Sequence, residues 1–220
     1  MAENQYNPLD TFNLGKSVAD ALLDRPSIPL ADIEQFDGAG IYAIYYKGHG
    51  EPYGIMAARN AKKAEWPIYV GKAIPSGGRK GATIFAKVSG RYLYNRLREH
   101  ADSIRAVNNL ELEDFDCRYL VVDDIWIPLA ETLLISSFQP VWNVVLDGFG
   151  NHDPGAGRYQ GLRPLWDVVH PGRPWASRCS DRIETARGLI GTIIDFLART
   201  EPPLDPRLLF KPPSAEDVDL

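Results

Sequence analysis

The sequence predicts a mixed fold of the α+β class, in which strands and helices share one hydrophobic core. Short runs rich in β-branched and aromatic residues predict three strands, at 40–46, 67–71 and 117–122. Longer segments with apolar residues at helical spacing predict three helices, at 89–107, 128–138 and 181–200. The 220 residues, 45% of them hydrophobic, suffice for one such domain with appended arms.

The segments around this core differ in character. Residues 1–37 combine acidic residues with a short amphipathic stretch at 14–23, and we expect an N-terminal arm that covers the core or packs on a partner subunit. Residues 72–91 predict a flexible basic loop. Residues 147–180 are rich in glycine, proline and tryptophan. Because tryptophan needs burial, we expect an ordered extension, 147–220, in the same compact domain as the core at 38–146.

Two predicted helices have candidate N-caps. Ser89 precedes the helix at 89–107, where Leu93, Leu97 and Ile104 have helical spacing. Asp181 is the predicted cap of the last helix. Its apolar face is predicted to carry Ile183, Ala186, Ile190, Ile194 and Leu197.

The charge distribution points to an anionic partner, although the net charge is −5. Between Arg59 and Arg105 there are eleven basic and three acidic residues, an excess of eight positive charges. Such a local field is typical of phosphate binding, whereas scattered surface lysines are the ordinary alternative. Arginines interleaved with Tyr92 and Tyr94 favour the first interpretation.

Several other classes of protein are disfavoured. Cys117 and Cys179 form no CxxC pair or zinc pattern, so we expect two reduced thiols in a cytoplasmic protein. We find no signal peptide and no apolar stretch near the roughly 20 residues that span a bilayer. The Glu-x-Lys motif common in restriction enzymes and the His-x-Lys phosphodiesterase motif are both absent.

A set of five motif pieces nevertheless suits phosphodiester hydrolysis. Gly40-Ile41-Tyr42 and Tyr69-Val70-Gly71 are followed by an arginine, a glutamate and an asparagine in predicted helices or just beyond: Arg96, Glu131 and Asn143. In this order they resemble the GIY-YIG nucleases over residues 38–146. The resemblance implies a central three-stranded antiparallel sheet flanked by helices, with the two tyrosines on neighbouring strands.

Two departures from the minimal GIY-YIG pattern narrow the resemblance to one branch of the superfamily. Tyr42 and Tyr69 lie 27 positions apart, and His100 stands four residues after Arg96, where much of the superfamily has tyrosine. Both features, and the stretch at 165–176, resemble the type II restriction endonucleases that cleave CCGCGG. A homodimer acting on double-stranded DNA is implied, because a palindrome needs two symmetric active sites. A cognate methyltransferase would act on the same site.

The resemblance assigns a role to each site residue. Glu131 is expected to be the sole protein ligand of one Mg²⁺, with Mn²⁺ as a possible substitute. Ionising a phenol at pH 7 costs roughly 4 kcal/mol, so we expect Tyr42 to act with His100 as a coupled base, the final acceptor being left open. Arg96 is expected to hold the scissile phosphate. Tyr69 would hydrogen-bond a phosphate oxygen, and Asn143 would buttress the site.

Six basic residues are candidates for DNA contact: Lys72, Arg79, Lys80, Lys87, Arg91 and Arg98. The sequence does not separate those that read bases from those that hold phosphates. Two alternatives stay open at this point. One is a structure-selective repair or mobile-element nuclease of the same superfamily, and the other is a non-catalytic nucleic-acid-binding module.

Overall fold

A four-stranded antiparallel sheet forms the centre of the molecule, with strand order β1-β4-β2-β3. The structure is a computed structural model that describes residues 10–75, 90–155 and 157–200. The strands are β1 Ile28–Pro29, β2 Gly40–Tyr46, β3 Tyr69–Ala73 and β4 Phe115–Val121. The α+β class and the antiparallel sheet are therefore confirmed, and the short β1 adds a fourth strand at one edge.

Seven α-helices surround the sheet within the described parts of the chain. Their bounds are α1 Thr11–Leu23, α2 Gly54–Asn60, α3 Tyr92–Arg105, α4 Ile127–Phe138, α5 Val141–Val144, α6 Leu165–Val169 and α7 Ala186–Arg199. No helix in these ranges has both the length and the apolar character needed to span a bilayer.

Strand β2 is fully buried and divides the core into two layers. Side chains of a strand alternate between its faces, so Tyr42, Ile44 and Tyr46 enter one cluster. Ile41, Ala43 and Tyr45 enter the other cluster. Tyr42 is paired in register with Gly71 on β3 and with Tyr119 on β4. This register sets the Tyr42 side chain beside the second motif strand.

Helices α3 and α4 cover opposite layers. The apolar face of α3, including Leu93, Leu97 and Ile104, joins the Tyr42 cluster. Helix α4 joins the other cluster, where α1 packs against it through the fully buried Ala19 and Leu22. From residue 10 onwards, the N-terminal segment thus covers the chain's own core.

The extension after residue 147 packs on the Tyr42 layer through aromatic residues. Trp166 is fully buried and meets Trp142 edge-on, with ring centroids 5.6 Å apart. Helix α7 contributes Leu189, Ile193 and Leu197 to the same cluster. The expected burial of the extension's tryptophans therefore holds for Trp166.

The predicted start of the last helix is wrong, and of its predicted face Leu197 and Ile190 pack on the core whereas Ile183 and Ile194 are exposed. Thr185 is its N-cap and accepts a hydrogen bond from the Gly188 amide at 3.2 Å. The Asp181 carboxylate instead pairs with Arg163 at 2.8 Å. Ile183 precedes the helix and is 95% exposed, so the buried face follows Leu189, Ile193 and Leu197. The predicted cap Ser89 lies outside the described residues.

Candidate active site

Tyr42 and His100 form a buried, directly bonded pair at the centre of the site. The Tyr42 hydroxyl lies 2.6 Å from His100 Nε2. Strand β2 supplies the phenol and the inner face of α3 supplies the imidazole. Both residues are among those predicted from the sequence, and the fold brings them into contact across 58 positions of sequence.

Burial favours the neutral form of both members. Desolvation raises the pKa of Tyr42 well above its usual value, and the charges of Tyr69 and Glu131 add to this effect while Arg96 opposes it. Burial also lowers the pKa of His100 well below 6.5, assisted by the charges of Arg96, His152 and Arg173. In the tautomer that carries its proton on Nδ1, neutral His100 accepts the hydrogen bond that the Tyr42 phenol donates.

Arg96 provides a cation at the Tyr42–His100 pair. Its Nη2 donates to the Gly150 carbonyl at 2.6 Å, and its Nη1 donates to Glu99 at 3.0 Å. Nη1 also lies 2.6 Å from His152 Nε2, which accepts in the neutral tautomer. The positive charge of the guanidinium lowers the pKa of both Tyr42 and Tyr69. Its side chain is 19% exposed, which leaves it open to an anion.

Tyr69 and Phe149 enclose the histidine ring. Phe149 stacks on His100 at 4.5 Å, and Tyr69 meets His100 edge-on at 5.2 Å. Two glycines make room for the phenols. A Cβ on Gly71 would lie 2.4 Å from the Tyr42 hydroxyl, and one on Gly150 would lie 2.6 Å from the Tyr69 hydroxyl.

Glu131, on α4, provides a single carboxylate whose charge acts on both phenols. Its Oε2 pairs with Lys72 Nζ at 2.6 Å, and its negative charge raises the pKa of Tyr42 and Tyr69. Across residues 10–75, 90–155 and 157–200, no three or more His, Cys, Asp or Glu side chains group into a metal site. One carboxylate, with phosphate oxygens and waters completing the shell, suits a hard divalent ion such as Mg²⁺.

Asn143 supports the second motif strand. Its side-chain Oδ1 accepts from the Val70 amide, and its Nδ2 donates to the Val70 carbonyl, both at 2.8 Å. The amide thus continues the hydrogen-bonding ladder beyond the free edge of β3, next to Tyr69. These contacts occupy the amide in positioning the strand and favour that role over a chemical one.

The six candidate DNA-contact residues are distributed unevenly. Arg91 is exposed just before α3, and Arg98 is half-buried on that helix. Lys72 is engaged by Glu131. Arg79, Lys80 and Lys87 lie outside the described residues.

Sequence reasoning missed the residues of the extension that complete the site. Phe149, Gly150 and His152 contact His100, Tyr69 or Arg96, yet they lie in a stretch without helix or strand periodicity. A buried arginine, Arg173, lies between two tryptophans of the same extension. The signals in the sequence were the density of aromatic and glycine residues around Phe149 and, for Arg173, the stretch at 165–176 that resembles the restriction branch.

The fold and this cluster define a GIY-YIG nuclease, a class of DNA endonuclease. Residues 34–197 match the family described as the Eco29kI GIY-YIG domain, and the chain belongs to that family. GIY-YIG nucleases typically use divalent metals, which agrees with the single carboxylate at Glu131. The chain matches none of the curated proteins.

Proposed function

We propose that this protein is a homodimeric type II restriction endonuclease that cleaves double-stranded DNA at a short GC-rich palindrome, CCGCGG. The hydrogen bond between Tyr42 and His100, beside Arg96 and Glu131, carries the proposal. Together these residues supply one chain with a proton acceptor, a phosphate ligand and a metal ligand. These are the functions that phosphodiester hydrolysis requires.

Arg96 binds the scissile phosphate. On DNA binding, its Nη1 exchanges Glu99 and His152 for a phosphate oxygen, while Nη2 keeps the Gly150 carbonyl. The planar guanidinium thereby offsets the charge that develops as the phosphorus becomes five-coordinate. Tyr69, whose hydroxyl lies near the same guanidinium, donates to a second phosphate oxygen.

Tyr42 and His100 take the proton of the attacking water. The water oxygen forms a bond to phosphorus as the bond from phosphorus to the 3′ oxygen breaks. The water proton goes to the Tyr42 oxygen while the phenol proton passes to His100 Nε2. Because both groups start neutral, no buried phenolate has to persist, and the imidazolium later releases its proton to solvent.

Glu131 would hold the metal ion of each active site. When bound, Mg²⁺ supplies charge stabilisation for the departing 3′ oxygen. Lys72 neutralises Glu131 in the free protein and must leave the carboxylate for the ion to bind. Its ammonium is then available to the DNA backbone, as its membership of the basic stretch suggests.

The specificity for CCGCGG rests on the resemblance to the restriction branch. The wide spacing of the tyrosines and the histidine four residues after Arg96 support it. Arginine forked to guanine is the commonest specific base contact, and a G·C-only site would use several. A two-fold palindrome is cut on both strands by two identical subunits, hence the homodimer.

The proposal is tested by digesting a plasmid that contains CCGCGG with the purified protein and Mg²⁺. We expect discrete fragments whose sequenced ends lie within CCGCGG, and a dimer in sedimentation analysis. The control plasmid has one base pair of each CCGCGG site changed, and it should stay intact. Cutting only at branched or flapped DNA would indicate a structure-selective nuclease instead. Binding without cutting under varied metals would indicate a non-catalytic module.

A further inference from the structure

One wall of the active site is formed by a loop that lies outside the motif strands and helices. We call residues 148–152 the Phe149 loop. Phe149 stacks on the catalytic imidazole of His100, and the Gly150 carbonyl accepts from Arg96 at 2.6 Å. His152 meets the same guanidinium. The position of two reacting groups therefore depends on the backbone of this loop.

A buried side chain, Arg173, binds that backbone. Its Nη1 donates to the carbonyls of Phe149 and Asn151, both at 3.1 Å, and its Nη2 donates to the Gly148 carbonyl at 2.9 Å. Its Nε donates to Asp167 at 2.7 Å, and Nη2 also bonds the second Asp167 oxygen. All five N–H donors of the guanidinium are used, three of them on the Phe149 loop.

The surroundings of Arg173 hold it rigidly. Asp167 on α6 neutralises its charge, and the two side chains are 1% and 3% exposed, respectively. The guanidinium lies between Trp166 and Trp175, 4.7 and 4.6 Å from the ring centroids. The planar guanidinium of arginine stacks on aromatic faces and forks to planar acceptors, whereas the lysine ammonium is a compact point charge. The site is thus built for a guanidinium rather than for any cation.

We infer that Arg173 is a positioning residue of the nuclease, which fixes the Phe149 loop so that Arg96 and His100 meet the scissile phosphate in a reactive arrangement. The inference rests on the proposed function of Tyr42, Arg96 and His100. Arg173 itself touches no reacting atom and acts through Phe149 and Gly150. With Arg173 included, the site extends from the motif core to the C-terminal extension.

The test compares Arg173→Lys with the wild-type protein on whichever plasmid the wild type cuts. Lysine keeps the charge but offers a compact ammonium in place of the planar fork. We expect the single-turnover cleavage rate at saturating enzyme to fall about 10- to 100-fold, because small misplacement of reacting groups costs about this much. The Kd for the same DNA, measured by gel shift with Ca²⁺ in place of Mg²⁺, should change less than about threefold.

Arg118→Lys is the matched control. Arg118 is also buried and bonds the Tyr45 hydroxyl and the carbonyls of Ala64 and Arg25, away from the Phe149 loop. Its variant should cleave within about threefold of the wild type at temperatures where it is folded. Equal loss of rate in both variants would overturn the inference, since a general effect of weakening a buried arginine would then explain it.

If Arg173→Lys does not fold, Phe149→Leu tests the positioning inference instead. This variant keeps the backbone carbonyl bound by Arg173 but removes the ring that rests on His100. Slower cleavage with retained binding supports the inference. An unchanged rate in the folded variants, or a rate that falls only in step with affinity, overturns it. Both outcomes leave the proposed function standing as long as the wild type cuts, whereas a wild type that never cuts removes the proposed function itself.

Discussion

Two buried tyrosine–histidine pairs occur among the residues that the structure describes, and their surroundings differ. Tyr53 lies 2.7 Å from His170 Nε2, much as Tyr42 lies against His100. The Tyr53 hydroxyl also accepts from Trp142, and His170 Nδ1 donates to Asn109 at 3.0 Å. Burial lowers the pKa of His170 to about 3. Partners therefore saturate the second pair, whereas Arg96 and Glu131 flank the first.

At Glu131 we predict that the substitution by glutamine stops cleavage but not binding. The amide keeps the size of the side chain and loses the negative charge that a divalent ion needs. The single-turnover rate should fall at least about 100-fold, because a metal ion supplies several kcal/mol of transition-state stabilisation. Gel shifts without metal should show DNA affinity within about threefold of the wild type. Glu65→Gln, which removes another ion-paired glutamate, is the control; retained cleavage in Glu131→Gln would remove the metal role.

The pH dependence of cleavage should report the neutral form of His100. Its pKa is lowered well below 6.5 by burial and by the facing charges of Arg96, His152 and Arg173, while Tyr42 and Tyr69 on the sheet side are neutral phenols. The acceptor form is therefore present above this lowered pKa and is lost only as the pH falls through it. Single-turnover rates should change less than about threefold from pH 8 to 6.5, and the fall of about tenfold per pH unit should begin only below the lowered pKa of His100.

Two variants check the assignment of this titration. His100→Gln should lower the rate at least about 100-fold, the usual contribution of general base catalysis. His170→Gln changes the other phenol-bonded histidine and should leave the acidic limb in place. An acidic limb with its midpoint at or above pH 6.5 in the wild type would contradict the buried, neutral His100.

Among the secondary structure elements, those with a clear periodicity were the ones that sequence predicted well. Strand β2 was predicted with both ends correct, because Gly40–Tyr46 is an unbroken β-branched and aromatic run between glycines. Helix α4 was predicted to within a residue, since proline marks each end. The motif spacing likewise led to Tyr42, Arg96 and His100. These features depend on local sequence, which a single chain reveals.

Other elements depend on tertiary contacts and could not be read in this way. Strand β1 is only two residues, and it forms by pairing with Asp116 and Cys117 of β4. The last helix starts later than predicted because Asp181 forms an ion pair with Arg163 instead of capping the helix. The Phe149 loop has no periodicity at all, and its role in the site comes from Arg173, more than twenty positions further along the chain. Long-range contacts of this kind leave no local pattern.

Strand β3 offers a test of the packing between the two motif strands. Gly71→Ala adds a methyl group 2.4 Å from the Tyr42 hydroxyl and 3.0 Å from the Tyr69 ring. Because Tyr42 is fully buried and Tyr69 is half-buried, the rings must shift, and we expect about a 100-fold lower single-turnover rate. Gly191→Ala on α7, where a Cβ meets nothing within 4 Å, is the matched control and should cleave normally. Normal cleavage by folded Gly71→Ala would show that the phenol position is not critical.

The net charge of the whole chain is negative, although one segment that includes site residues is strongly basic. The excess of eight positive charges between Arg59 and Arg105 coincides with β3 and α3, the elements that carry Tyr69 and Arg96. The remainder of the chain is correspondingly acidic. This asymmetry would orient the enzyme on DNA and disfavour contact through its other surfaces.

The salt dependence of binding should map this basic face. Replacing the exposed Arg91 by glutamine should reduce the slope of log K against log salt by about 0.9, the contribution of one phosphate contact. Lys16→Gln on α1, whose side chain pairs with Asp20, is the control and should leave the slope unchanged. Titrations at several salt concentrations measure both slopes. The reverse outcome would move the DNA to the α1 side of the molecule.

The stacking of Phe149 on His100 has a consequence for how far this nuclease could be shortened. A fragment ending at residue 146 would retain every motif residue from Gly40 to Asn143. It would nevertheless lose the Phe149 ring, which stacks on the His100 imidazole. It would also lose the Trp166 indole, which packs edge-on against Trp142. The segment that holds the motif residues is thus shorter than the segment that forms the complete site. A minimal enzyme engineered from this chain must extend at least through Trp175.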